Sequence, residues 1–207
     1  MADSELGRQL RLERAEIHDF LAALDDDEWQ RASWCEGWTV IDVAAHLASL
    51  LGASIAGLAT RMARAGFFPP LANAQDVRRW TRWGAPAIVG ALVEDRPLAV
   101  AKVYAKVGLT EAVVHHQDMR RALGHPRGLS ELRLRVALDV IAKRPGTGTG
   151  GVRRRRGVTL RATDMDWCLG DGPEVTGPAE ALLMTLAGRR AAMSDLSGDG
   201  KALLAHR

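Results

Sequence analysis

The chain has 207 residues, is 47% hydrophobic and 26% charged, and carries a net charge of +3. That profile belongs to a soluble globular protein able to build a core, and it excludes a disordered chain. Polar or charged residues interrupt each apolar run well short of a membrane-spanning length, and the acidic start Met1-Ala2-Asp3-Ser4-Glu5 has no basic or apolar region of a secretory signal.

Two cysteines, Cys35 and Cys168, lie far apart without CxxC spacing, which fits a reducing cytoplasm and excludes a disulfide scaffold. Arg outnumbers Lys 24 to 4, beside 33 Ala and 21 Gly. This bias reflects a GC-rich coding sequence more than any chemistry.

In chain order, the spacing of Leu6, Leu10, Ile17, Phe20, Leu21 and Leu24 predicts an amphipathic helix, with Arg8, Arg11, Arg14 and Glu16 between the apolar positions. Asp25-Asp26-Asp27-Glu28 should end it in a solvated turn. After the loop Trp34-Cys35-Glu36-Gly37-Trp38, Thr39 can cap a second helix with Asp42 three residues on, and Trp38 can pack on Val43. That helix is expected to run to about Ala65. Phe67-Phe68-Pro69-Pro70 breaks the chain, and residues 73 to 107 read as helix interrupted by Gly84, Pro86 and Pro97.

Leu109 to Leu123 is a further helix, closed by Gly124 and Pro126, and another spans Leu129 to Lys143. Residues 145–151 hold four glycines in seven and read as a linker. Beyond them, Val158 to Thr163 alternates as a strand, Trp167-Cys168-Leu169 and Glu174-Val175-Thr176 can be two more, and Pro178 can open a helix stopped at Gly188. The expectation is a helical domain over 1–144, a Gly-rich linker at 145–151 and a small α/β domain over 152–207.

Glu111 and His115 are four apart on one helix, and Asp118 is three further on, so the three share a stripe about 60° wide. Taken alone, the pair reads either as a surface Glu–His pair or as half of a metal site. His46 lies on the inner stripe of the second helix with Val43, Leu50 and Ala53, and an imidazole there needs a partner. The partner can be a backbone carbonyl or Asp42. Alternatively, His46 faces Glu111 and His115 across a helical bundle, making a three-ligand site with an open position. Asp118 or Asp42 would then accept an N–H from a ligand imidazole and fix its tautomer.

The stretches Trp34-Cys35-Glu36-Gly37-Trp38-Thr39-Val40 and Asp42-Val43-Ala44-Ala45-His46-Leu47-Ala48 resemble the GWTxxDxxAHLA signature of the mycothiol-dependent maleylpyruvate isomerase family, of DinB-like fold. Glu111 to Ala122 is similar to its ExxxHxxDxxRA segment, and Gly172 to Glu180 with Leu186-Ala187-Gly188-Arg189 resembles its C-terminal domain. The resemblance implies a mainly α protein, a DinB-like four-helix bundle followed by a small α/β domain. It implies zinc or another divalent metal on His46, Glu111 and His115, with Arg189 in catalysis or substrate binding. His116 points about 100° away from His115 and falls outside the set.

The implied partners are a small, anionic, electrophilic substrate and mycothiol or a similar low-molecular-weight thiol. Metal coordination deprotonates a thiol. Addition of the thiolate to a cis-enoyl diacid frees the double bond to rotate, and elimination returns the trans isomer with the thiol unchanged. An epoxide or activated leaving group would give S-transfer instead, and Arg189 or Arg190 could clamp a carboxylate.

Two other readings stand beside this one. The first is a metal-binding DinB-like protein without thiol chemistry, serving as sensor or scaffold. The second is a nucleic-acid-associated protein using the seven basic residues between positions 143 and 161. No aromatic residue interleaves them, so a solvated strand or hairpin beside the linker is the expected form. Cys35 is expected to be a buried loop cysteine, and the chain a cytoplasmic monomer or homodimer with no membrane contact.

Overall fold

The computed structural model describes residues 5–51, 55–93, 102–143 and 150–205. They form two compact units, 1–126 and 127–207. In the first, α1 (Glu5–Ala22), α2 (Asp26–Gln30), α3 (Val40–Leu51), α4 (Ile55–Arg64), α5 (Pro69–Val93) and α6 (Lys102–Leu123) follow one another. Helices α1, α5, α3 and α6 pack in a closed ring, each against two of the others, which is a four-helix bundle. Its core draws Leu10, Ile17 and Leu21 from α1, Val43 and Leu47 from α3, Ile88 and Leu92 from α5, and Leu109, Val113 and Met119 from α6. Each such side chain contributes about 1.5–3 kcal/mol on burial.

The inner face of α1 is not wholly apolar. Glu13 and Arg14 are both buried, and the Arg14 guanidinium donates to the Leu92 carbonyl at 3.1 Å. The acidic run after α1 does more than end it. Asp25 accepts from the Glu28 amide at 2.8 Å while Glu28 accepts from the Asp25 amide, a complete capping box that opens α2. Of the expected second helix, α3 runs to Leu51 and α4 starts at Ile55, and residues 52–54 lie outside the described residues. The start of α3 lies where the sequence places it, with Asp42 accepting from both the amide and the hydroxyl of Thr39.

The chain turns at Gly66 and Phe67, both at positive φ, and Phe68 then leads into α5. Within α5, Gly84 leaves helical geometry at φ 78° and ψ 174°, and Pro86 sits in the first turn of the restarted helix. Pro97 lies outside the described residues. Helix α6 closes at Gly124, φ 74°, with the His125 amide on the Arg120 carbonyl.

The second unit contains α7 (Glu131–Lys143), α8 (Gly151–Arg154), the strands β1 (Thr159–Ala162), β2 (Cys168–Leu169) and β3 (Glu174–Gly177), α9 (Ala179–Leu186), a 3₁₀ turn over Arg190–Asp195 and α10 (Lys201–Ala205). The sheet order is β2-β1-β3, with β1 antiparallel to β2 and parallel to β3.

The division therefore falls between Pro126 and Arg127, not at the Gly-rich segment, of which 145–149 lie outside the described residues. Helix α7 belongs with the sheet unit because its buried face, including Leu134, Leu138 and Ile141, packs against α9. Polar ties hold it there too. Trp167 donates its indole N–H to Asp139 at 3.1 Å, and Arg135 donates to the Asp166 carbonyl at 2.8 Å.

The arginine run is not a solvated hairpin. It forms α8, where Arg154 donates to the Leu186 carbonyl at 3.0 Å and Arg155 to the Ala142 carbonyl at 2.6 Å. Gly151 is buried against Ile141, where a Cβ would collide with that side chain.

Candidate metal centre

Helices α3 and α6 adjoin in the bundle, and their facing residues bring His46, Glu111 and His115 together. One donor atom from each lies within 4.8 Å of the others. His46 Nε2 is 3.6 Å from Glu111 Oε2, and His115 Nε2 is 3.4 Å from the same oxygen. Four ligands at about 2.0–2.1 Å around a tetrahedral ion stand about 3.3–3.4 Å apart. The two imidazole–carboxylate separations are therefore close to those of a coordination shell, and the donor set suits zinc or a similar divalent ion.

The other ring nitrogen of His115 meets Asp118 Oδ2 at 2.9 Å, and Asp118 is fully buried. Accepting that N–H fixes the tautomer that leaves Nε2 facing Glu111. Asp42 does not do the same for His46. Its carboxylate is engaged at Thr39, about two turns before His46, and His46 Nδ1 is buried without a hydrogen-bond partner.

Electrostatics separates the two imidazoles. Burial pushes the His46 pKa down, and the neighbouring Glu111 only partly offsets it. Burial also acts against charging His115, but Asp118 and then Glu111 outweigh it and raise its pKa from 6.5 to about 9. Glu111 is held well below the usual carboxylate range, since contact with His115 and His46 overcomes its own desolvation.

Trp38 walls the site, its ring centroid 5.3 Å from that of His46 and 6.2 Å, stacked, from that of His115. The loop bearing it is a tight turn. Ser33 N and Oγ both donate to the Trp38 carbonyl, and Gly37 takes φ 78°. The Trp34 amide joins the loop to α6 through the Asp118 carbonyl at 3.1 Å.

Cys35, expected to be buried, is half-exposed, and its sulfur clusters with His115 and Asp118 within 4.8 Å. Nothing in its sequence spacing signals that neighbourhood, which arises because the turn folds the thiol toward α6.

His116 indeed points away from the cluster. Its Nδ1 meets Glu13 at 2.9 Å, and its Nε2 accepts from Arg120 at 2.8 Å. In the second unit, Arg189 precedes the 3₁₀ turn, is half-buried and donates to the Ala187 carbonyl at 2.6 Å.

The bundle thus carries a two-histidine, one-carboxylate cluster whose donor atoms could hold a divalent ion. Residues 10–120 match the family model described as the mycothiol maleylpyruvate isomerase N-terminal domain, and the chain belongs to that family. Two solved structures share its fold over 96% of this chain and 95% of theirs. One is a mycothiol-dependent maleylpyruvate isomerase, at 16% identity and a TM-score of 0.58. The other is a histidine-to-alanine mutant of a mycothiol-dependent maleylpyruvate isomerase, at 17% identity and 0.53. No curated protein matches the sequence significantly. Among the described residues, no helix is long and apolar enough to cross a membrane.

The role of Asp118 is testable through pH. Below about 9 His115 holds a proton that an incoming metal must displace, so apparent metal affinity should climb with pH up to that point. The same raised pKa stabilises the metal-free fold. That contribution is complete below the ordinary 6.5 and is lost as pH rises through about 9. Asp118→Asn should lower metal affinity about 10–100-fold and flatten the climb between pH 7 and 9. Competition titrations with a chromophoric chelator measure both, and an unchanged pH slope would remove Asp118 from this role.

Proposed function

We propose that the protein is a divalent-metal-dependent isomerase or S-transferase that uses mycothiol or a similar thiol on a small anionic electrophile such as maleylpyruvate. The observation that carries this reading is the convergence of His46 Nε2, His115 Nε2 and Glu111 Oε2 at coordination spacing. His46, Glu111 and His115 would hold the ion, with zinc the best fit to two imidazoles and one carboxylate. When bound, the ion supplies the positive charge that turns a thiol into a thiolate at neutral pH.

The chain's own residues supply the rest. Asp118 holds His115 in one tautomer and orientation, and Glu111 remains ionised. Trp38 shields one side of the imidazole pair, which limits water there and strengthens local electrostatics. Arg189 is assigned the substrate carboxylate, where a guanidinium can bind in bidentate fashion. A thiol held beside the ion would supply a nucleophile for reversible addition to a cis-enoyl diacid, chemistry that would free the double bond to rotate, while Arg189 would hold the substrate carboxylate in place.

The deciding experiment combines metal analysis of the purified protein with an absorbance assay of maleylpyruvate isomerisation, with and without mycothiol. One equivalent of metal and thiol-dependent turnover are expected. Stoichiometric metal with no turnover on this or related cis-enoyl acids, and no S-transfer to epoxides, would leave a metal-binding protein without thiol chemistry.

A further inference from the structure

The C-terminal unit contains a second cluster that the metal chemistry does not use. Arg154, Thr185, Gly188, Arg190, Met193 and Leu204 line a cavity of about 60 Å³ at the end of α9. Ligand pockets for drug-sized molecules run to about 300–1,000 Å³, so this one has room for a single small ion and none for a nucleotide.

The position of Arg154 is built into the backbone. Its Nη1 donates to the Leu186 carbonyl. Gly188, at φ 96°, lies against the guanidinium so closely that a Cβ there would sit 2.9 Å from Nη2 and 3.2 Å from Cζ. A Cβ at Gly150, at φ 70°, would come within 3.4 Å of Nη1. Two glycines in the left-handed region thus leave space that the guanidinium fills.

Thr185 supplies an independent observation. It is 5% exposed, and its hydroxyl is buried with no hydrogen-bond partner. Helical threonines ordinarily bond back to the carbonyl four residues earlier. Thr60, Thr81 and Thr110 do so here, at 2.8–2.9 Å. Thr185 does not, although its place in α9 offers the same acceptor, and its residue lines the cavity. A buried hydroxyl left without that bond is suited to donate to a ligand.

Burial and then the neighbouring Arg189, Arg153 and Arg190 cations disfavour the charged form of Arg154. Capping the carbonyl end of α9 accounts for the Arg154 and Arg189 guanidinium groups, but not for Arg190 or the unused hydroxyl.

We propose that Arg154, Arg190 and Thr185 form a binding site for a small tetrahedral oxyanion of the phosphate class. Two guanidinium groups and a hydroxyl at one cavity match an acceptor with oxygens in several directions. A planar carboxylate is satisfied by a single bidentate guanidinium. The site uses residues of the C-terminal unit alone.

The test is thermal denaturation of the full-length protein in rising millimolar phosphate, against chloride at matched ionic strength. A saturable rise in Tm is expected with inorganic phosphate and with sulfate, and not with chloride or acetate. Arg190→Ala should weaken apparent phosphate affinity about tenfold, and Thr185→Val should weaken it severalfold. His46→Ala should respond to phosphate as the parent protein does. An equal rise with chloride or acetate would overturn the proposal. So would an undiminished response in both Arg190→Ala and Thr185→Val, and so would loss of the response in His46→Ala, which would place the anion at the metal centre.

Discussion

Replacing His46 by Ala should abolish stoichiometric metal and lower any thiol-dependent turnover by at least about three orders of magnitude, while the helical circular dichroism survives. The fold should survive because the polar contact that His46 makes is with Glu111, which keeps His115 as a partner in the variant. His46 Nδ1 makes no hydrogen bond, and Val43, Leu47 and Ala44 bury α3 without it. His115→Ala should lose metal equally but cost more stability. It strips fully buried Asp118 of its imidazole partner, and a buried polar group that loses a partner costs about 1–3 kcal/mol. The two variants together therefore separate metal loss from destabilisation. Full metal occupancy in both, by elemental analysis, would sink the ligand assignment.

Arg189→Ala carries the second large effect. Its guanidinium caps the Ala187 carbonyl near the end of α9, and a cation at a helix C-terminus contributes about 0.3–1 kcal/mol. If that is its whole role, the variant loses a little stability and no activity. As the substrate clamp, it should cost two or more orders of magnitude in kcat/KM with metal content unchanged, since a charge-assisted hydrogen bond in a dry site is worth about 1.5–3 kcal/mol. Arg189→Lys should recover little, because an ammonium cannot make the bidentate fork. Near-normal activity in Arg189→Ala would withdraw the clamp and leave the metal site standing.

The elements whose signals are local were legible in the sequence. Thr39 with Asp42 marked the start of α3, Gly124 the end of α6, and the alternation around Leu160 a strand. The grouping of His46, Glu111 and His115 was legible as a candidate because Glu111 and His115 are four apart on one helix and His46 lies on the inner stripe of another.

What failed depended on distant partners. Arg14, read as lying between the apolar positions, is buried because it donates to the Leu92 carbonyl, 78 residues on. Arg154 is held by a carbonyl 32 residues on, so its run read as solvated charge. Glycine content marks where chain can bend, whereas α7 is grouped with the sheet unit by the face it packs on α9. The helix α2 was missed although Asp25 and Glu28 carried the capping pattern, since acids after a helix were read only as its stop.

The adjacent histidines of α6 have an evolutionary consequence. His115 meets Glu111 and His46 of α3, while His116 is fastened to Glu13 of α1. These two attachments fix the rotation of α6 about its axis at neighbouring clock positions. One residue inserted between Glu111 and His115 would turn the glutamate about 100° out of the cluster, and a deletion would do the same in the opposite sense. Side chains along this stretch can drift, but its length cannot. Descendants of this chain can gain or lose residues at the break around Gly84 or after Gly124, where the helical phase is already reset.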